Sequence, residues 1–586
     1  MGLAGAKGLN QKPEPNARPR WAYGVNSMLS IKSFAFPVAA ALSVVLAGCT
    51  TPAQAPTATV APISAAEYER HIATLASDEF EGRKPGTAGE RKTVEYLTNE
   101  FKKLGLKPGN GSSWVQEVPI VEITAGTDAS LRLGSRELTY SRDMVIWTKR
   151  LVPEASLADS PLVFVGHGVV APEFGWNDYA GVDMKGKTAV ILINDPGFAT
   201  NDASLFRGRA MTYYGRWTYK FEEAARQGAA AAIIIHDDKP AAYPWDTVQN
   251  SWTGPQLDMV AKDGNAGRPA IEGWITKAEG DALLRASGHS YDSLLLAASQ
   301  RGFKPIELGQ KASGSVRNLI RRASSSNVVA MLPGRKHPDE VIVYMAHWDH
   351  LGKTLARSGD NIFNGALDNA TGTAGLLTIA KAYAESTPRP ERSVVFLAVT
   401  LEESGLLGSA YYVANPIFPL AKTVAALNMD AIGWGGPTKD VTVVGHGASE
   451  LEEYLASEAQ RQDRIVKPEP TPENGFFFRS DHFNFAKGGV PALYIKLGVD
   501  DREKGEEWGR AQLAEFTKND YHKPSDEFRA GIDLRGGLQD IELMQRIGWR
   551  LANERRFPNW YPDSEFRAAR DRSLANGTSS AQSLVQ

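Results

Sequence analysis

Four short apolar runs, residues 341–346, 394–399, 424–427 and 492–495, punctuate the second half of the chain. Unbroken runs of this length read as strands buried on both faces. Helical spacing fills the stretches between them, notably 372–385 and 406–414. Strand alternating with helix predicts an α/β sheet covered by helices on both sides. Upstream, 65–75 has an amphipathic helical pattern, and 90–104 predicts a second helix that stops at Gly105. From about 160 to 300 the texture changes to short strands (162–165, 188–193, 230–235), a helix over 222–227 and many Gly, Trp and Tyr. The expected fold is therefore α/β, a mixed central sheet flanked by helices, interrupted by a β-rich insert. The expected boundaries are 64–155 for the first part of the main domain, 156–305 for the insert and 306–570 for the second part. The small polar residues of 571–586 predict a disordered tail.

A chain of 586 residues needs more than one core. Its 42% hydrophobic and 23% charged residues exclude a disordered or polytopic membrane protein. With Lys+Arg 65 against Asp+Glu 68, charge gives no ground for a nucleic-acid partner. The single cysteine, Cys49, forbids an intrachain disulfide and a thiolate cage, so any metal must be held by His and carboxylates. Residues 34–46 are apolar, too short to span a bilayer but suited to the core of an export signal. Lys32 precedes them, and Leu46-Ala47-Gly48-Cys49 resembles a bacterial lipobox. A Thr/Pro/Ala-rich tether follows at 50–62. Residues 1–63 are thus read as signal and tether, with Met28 as the expected start. The mature protein is expected to be a periplasm-facing membrane lipoprotein that meets the membrane through a lipid on Cys49, with no obligate protein partner.

The chemistry sits where apolar runs end, as open α/β sheets favour. The 341–346 run leads into His347, Asp349 and His350; the 394–399 run leads into Glu402 and Glu403; the 424–427 run leads into Asp430. Asp368 lies in a Gly-bounded loop before a helix, and His522 and Asp526 lie in Tyr-His-x-Pro-x-Asp. Singly these are ordinary strand-end residues. In combination His-x-Asp, Gly-Ala-x-Asp-Asn-x-x-Gly, Glu-Glu-x-Gly-Leu-x-Gly-Ser, Asn-x-Asp-x-Ile-Gly and Tyr-His-x-Pro-x-Asp, in that order, resemble metallopeptidase family twenty-eight. That family comprises co-catalytic zinc aminopeptidases and relatives of glutamate carboxypeptidase II. Ser480-Asp-His-x-x-Phe485 is a further family-like run. The insert resembles a protease-associated domain.

The resemblance implies two zinc ions per subunit. His347 and Asp430 would hold one, Glu403 and His522 the other, and Asp368 would bridge them, with an Asp368–Asn369 cis bond. Glu402 would be the general base. Three carboxylates and two neutral imidazoles set −3 against +4 from the metals, which a bridging hydroxide brings near neutrality and makes burial tolerable. Asp349, two residues beyond a ligand His, is placed to accept the other imidazole N–H and fix its tautomer. His350 and His482 are read as packing or hydrogen-bonding residues and not as zinc ligands. Tyr521 could donate to the reaction intermediate, and Arg207, Arg209, Arg216 or Arg479 could hold a substrate carboxylate.

The function implied is zinc-dependent removal of N-terminal residues from peptides with a free N-terminus. A carboxypeptidase of the same family, which needs a basic pocket, is one alternative. A non-catalytic binding protein on a peptidase scaffold is another, but it would be expected to have lost ligands. Glutaminyl cyclase uses one zinc, against the full ligand set here. No Gly-x-Ser-x-Gly elbow near a usable His supports a serine hydrolase.

Overall fold

The structure is a computed structural model that describes residues 59–354 and 359–582, with side chains to 575. The expected export signal, lipobox and most of the tether, residues 1–58, lie outside the described residues. Four parallel strands form the centre of the main sheet: Arg392–Val399, His337–His347, Thr423–Asn428 and Ala492–Leu497, in that spatial order. Every residue of Arg392–Val399 and Thr423–Asn428 is buried, which explains their unbroken apolar sequence. Antiparallel neighbours close both sides: Ile306–Leu332 pairs with Arg392–Val399, and Asp440–Val443 pairs with Ala492–Leu497. The sheet is mixed, as expected.

Alternation along the strands separates two cores. Ile342, Tyr344, Val394 and Phe396 face one side, under Ala65–Leu75, Thr371–Glu385 and Arg535–Asn553. Val341, Val343, Met345, Val395 and Leu397 face the other, against Tyr412 and Phe485. Ala65–Leu75 begins where the Ser64 hydroxyl accepts the Glu67 N–H at 3.3 Å, and it buries Tyr68, Ile72 and Leu75.

The insert has its own sheet: Met144–Trp147, Ile271–Ile275, Ala231–Ile235, Thr188–Leu192 and Glu154–Phe164, in that spatial order. The strand Ile306–Leu332 belongs to both sheets. Its first part pairs with Glu154–Phe164, and Asn318–Val328 pair with Val115–Ala125 of the main sheet. The insert's sheet also takes in Ser130–Leu133, so it starts upstream of the expected boundary at 156 and ends inside a strand, not at 305. The reason is physical: one long strand carries hydrogen bonding across the junction without a linker. A helix, Arg567–Gln582, runs into the expected tail, of which residues 583–586 lie outside the described residues; ahead of the tail, buried Arg570 donates to the carbonyls of Leu420 and Thr423 at 3.0 Å.

Candidate active site

The carboxyl ends of the parallel strands share one edge, and the acids and imidazoles of the sequence motifs gather there. His347 is the last residue of its strand, Glu402 and Glu403 follow Val399, and Asp430 follows Asn428. Two loops complete the group. Residues 364–371 bring Asp368, and the turn after the helix Glu506–Asn519 brings His522, whose φ is 57°.

Asp368 reaches both imidazoles. Its Oδ1 lies 3.3 Å from His347 Nε2 and its Oδ2 lies 3.2 Å from His522 Nε2. Asp430 Oδ1 stands 3.5 Å from His347 Nε2, and Glu403 Oε2 stands 3.1 Å from His522 Nε2. The structure therefore brings together all five residues expected to hold metal. Glu402 joins His347 and Asp430, with one oxygen or nitrogen from each of the three within 4.8 Å of the others.

The electrostatics follow from so many carboxylates under so little solvent. Burial disfavours a charged His347, yet Glu402, Asp368 and Asp430 raise its proton affinity well above normal. Burial likewise opposes charge on His522, but Asp368 and Glu403 push it up to about 10. Burial and the Asp368 charge would raise Glu403, whereas the hydrogen bond from His350 and the nearby His522 imidazole pull it down to about 2. Glu402 goes the other way: burial, then Asp430 and Glu403, raise it well above the carboxylate range against the pull of His347. Three acceptors and two imidazole nitrogens thus converge on positions that call for positive charge. His522 Nε2, buried, has no hydrogen-bond partner with adequate geometry despite its two carboxylate neighbours. That donor set fits a pair of divalent cations bound through N and O.

A ring of supporting groups holds these side chains. Asp526 Oδ1 accepts the Leu367 N–H at 2.9 Å and its Oδ2 accepts the Asp368 N–H at 3.1 Å. Asn369 ties that loop to the Asp430 strand end, donating to Met429 O at 3.1 Å and accepting the Ala431 N–H at 3.1 Å. The Asp368–Asn369 bond is cis. Gly372 lacks a side chain because a Cβ there would collide with Asn369 Oδ1 and Met429 O. Buried Arg83 donates to the carbonyls of Trp348, Asn364 and Gly365 at 2.6–2.9 Å, joining the loops on either side of His350.

Asp349 sits differently from expectation. His347 Nδ1 lies 3.1 Å from the Asp349 carbonyl but 3.9 Å from its carboxylate. The carboxylate instead accepts the Glu402 N–H at 3.1 Å. The turn after His347 folds the Asp349 backbone onto the ring and frees its side chain for the next strand's loop. Asp349 is thereby a positioning residue for Glu402 as well as for His347, and burial raises it to about 7. His350, expected to pack or to hydrogen-bond, bonds Glu403 Oε1 through Nδ1 at 2.6 Å. His482 packs between Phe477 and Tyr494, and neither ring nitrogen has a hydrogen-bond partner.

Asp526→Ala would leave two N–H groups of the Asp368 loop without acceptors. Metal affinity is expected to fall about 10–100-fold with the fold retained, checked by zinc titration beside circular dichroism.

Tyr521 stacks on His522 at 3.9 Å between ring centroids. Nearby, Arg479 Nη2 donates to Asn474 O at 2.8 Å, and Arg216 Nε has no partner. Neither guanidinium makes a salt bridge among the described residues. Burial, then the Arg479 charge, lowers Arg216 to about 10. Arg209 pairs with Glu473 at 4.0 Å. Neither Arg83 nor Asp526 is expected from sequence as a supporting residue: Asp526 closes the Tyr-His-x-Pro-x-Asp run without a role of its own, whereas Arg83 carries no local signal.

Residues 327–543, which span every clustered group from His347 to His522, match the family profile of Peptidase family M28. The chain is 27% identical over 457 residues to leucine aminopeptidase 2 of Arthroderma otae, covering 75% of this chain and 74% of that protein. It is 25% identical over 448 residues to aminopeptidase YwaD of Bacillus subtilis, covering 75% of each. Aminopeptidase NAALADL1 of the mouse is 32% identical over 137 residues, 22% of this chain but only 17% of that protein. Among solved structures, the aminopeptidase from Aneurinibacillus sp. strain AM-1 matches at TM-score 0.46 and 21% identity, over 84% of this chain and 95% of that one.

Proposed function

We infer that the chain is a peptide hydrolase, a metallo-aminopeptidase that removes N-terminal residues from peptides. The observation that carries this reading is the placement of Asp368 between His347 and His522, flanked by Asp430 and Glu403, inside the segment that matches a peptidase family. His347, Asp368 and Asp430 would hold one zinc ion, and Asp368, Glu403 and His522 the other. Bound there, the metals would supply Lewis acidity and lower the pKa of water.

The remaining work falls to the chain. Glu402 has a raised proton affinity and stands beside His347 and Asp430, so it can take a proton from the attacking water and pass it to the departing amine. Asp349 fixes the Glu402 backbone, and His350 fixes Glu403. Tyr521 is 46% exposed; partial burial, then Asp368 and Glu403, raise its proton affinity, so its hydroxyl stays protonated and able to donate to a developing oxyanion.

One observation favours a second reading. Arg216 of the insert and Arg479 of the main domain provide the cations that a carboxypeptidase needs, although no arginine occurs within the ligand-bearing runs themselves.

The direct test is peptide hydrolysis before and after dialysis against a chelator. Activity is expected to disappear and to return with two equivalents of zinc per chain. Full turnover in metal-free protein would sink the metallopeptidase reading, and recovery complete at one equivalent would sink the two-metal form of it. The lipid anchor rests on the lipobox-like run at Cys49, and Cys49→Ala is expected to abolish lipid labelling. Continued labelling would show the anchor to lie elsewhere.

A further inference from the structure

A cavity of about 220 Å³ lies at the seam where the insert meets the main domain, apart from the residues assigned to metal. Arg207, Glu469 and Glu565 line it, and the first two, of opposite sign, each keep a buried atom without a hydrogen-bond partner. Glu469 is 9% exposed; its Oε1 accepts the Gly445 N–H at 3.0 Å, and its buried Oε2 has no partner. Arg207 Nη2 is also buried and makes no hydrogen bond, with Glu565 Oε2 at 3.7 Å. Buried polar atoms are nearly always paired, by protein or by a ligand or water. Apolar wall is supplied by Met211, Phe477, Phe478 and Phe566.

The arginine is held firmly in place. Arg207 and its neighbour Phe206 adopt left-handed backbone, φ 60° and 48°. Phe206 stacks on Phe174 at 4.5 Å and meets Trp176 and Tyr214 edge-on, so the strained turn is fixed by its aromatic anchor. Across the seam, the Met211 N–H donates to Pro472 O at 3.2 Å and the Tyr213 N–H donates to Glu565 Oε1 at 3.3 Å.

We propose that this cavity binds a free α-amino acid with an apolar side chain, its carboxylate on Arg207, its ammonium on Glu469 and its side chain among Met211, Phe477, Phe478 and Phe566. Drug-sized ligands usually occupy about 300–1,000 Å³, and this smaller space suits a single amino acid. A planar guanidinium suits a carboxylate, and a zwitterion brings both charges needed here while adding no net charge to the seam. The inference stands on the cavity's own lining and goes beyond the proposed activity, although an aminopeptidase releases molecules of this class.

The test uses the full chain and L-leucine, followed by calorimetry in chelator so that metal cannot capture the amino acid. One leucine per chain is expected to bind. Leucinamide, which lacks the carboxylate, and N-acetyl-leucine, which lacks the ammonium, are each expected to bind at least tenfold more weakly to the unaltered protein. Arg207→Gln and Glu469→Gln are each expected to weaken leucine at least tenfold with an unchanged thermal midpoint. Leucinamide should be insensitive to the first substitution and N-acetyl-leucine to the second. Absence of saturable binding would mean that the cavity holds only water and would overturn the proposal. So would equal affinity for the three compounds, or leucine binding that neither variant alters. The compound series on unaltered protein decides the matter even where a variant fails to fold.

Discussion

Glu402→Gln is expected to lower kcat about 10²–10⁴-fold, the range attributed to a positioned general acid–base group, without loss of bound metal. The amide keeps the shape of the side chain and its place beside His347 and Asp430, but it cannot cycle a proton. Glu403→Gln is expected to behave differently. Glu403 places one oxygen 3.1 Å from His522 Nε2 and the other 2.6 Å from His350 Nδ1. An amide there loses the negative charge on which a cation and two imidazoles depend, so metal content should drop together with activity. Adjacent residues in sequence thus separate in role because their side chains leave the loop toward different neighbours. Metal analysis beside single-turnover kinetics distinguishes them. Equal metal loss in the two variants would remove Glu402 from the role of base.

Much of this site was legible in the sequence because buried parallel strands announce themselves twice. Their bodies are unbroken apolar runs, and their carboxyl ends break abruptly into acid or imidazole. His347, Glu402, Glu403 and Asp430 each mark such a break, and each lies at the common edge of the sheet. Loop residues were harder. Asp368 and His522 were found through motif strings that resemble a family, since neither ends an apolar run.

The features missed share a cause: they depend on partners distant in sequence. The strand Ile306–Leu332 contains Arg317, Arg321, Arg322 and a serine run, a polar texture that does not read as strand. It is extended because Val115–Ala125 and Glu154–Phe164 pair with it. Asp349 was assigned by its spacing from His347, which sets proximity but not which of its two oxygen-bearing groups turns toward the ring. Arg83 lies 265 residues from one of the carbonyls it binds. No local pattern reports such a contact.

Blocking the substrate's amine is expected to have the larger effect of the two possible end modifications. N-acetylation of a peptide that is otherwise cleaved well should reduce kcat/KM by about 10³-fold or more, whereas C-terminal amidation should change it little. A free α-amine titrates near pH 8, so at neutral pH it arrives mostly as a cation. The floor of the site presents Asp368, Glu402, Glu403 and Asp430. Three of these are counted against the metals, which leaves Glu402 and the rim to meet the amine. An amide nitrogen carries no charge to be met and adds the bulk of an acetyl group. Losing one charge-assisted hydrogen bond costs about 1.5–3 kcal/mol, roughly 10–150-fold, and misplacing the scissile carbonyl adds to that. Arg216 and Arg479 make the opposite result meaningful. If amidation alone stops cleavage while acetylated peptides are cut as fast as free ones, the Arg216 and Arg479 guanidiniums read the C-terminus, and the enzyme is a carboxypeptidase. Arg216→Met and Arg479→Met would then raise KM for free-carboxylate substrates selectively, a change that an enzyme reading the N-terminus would not show.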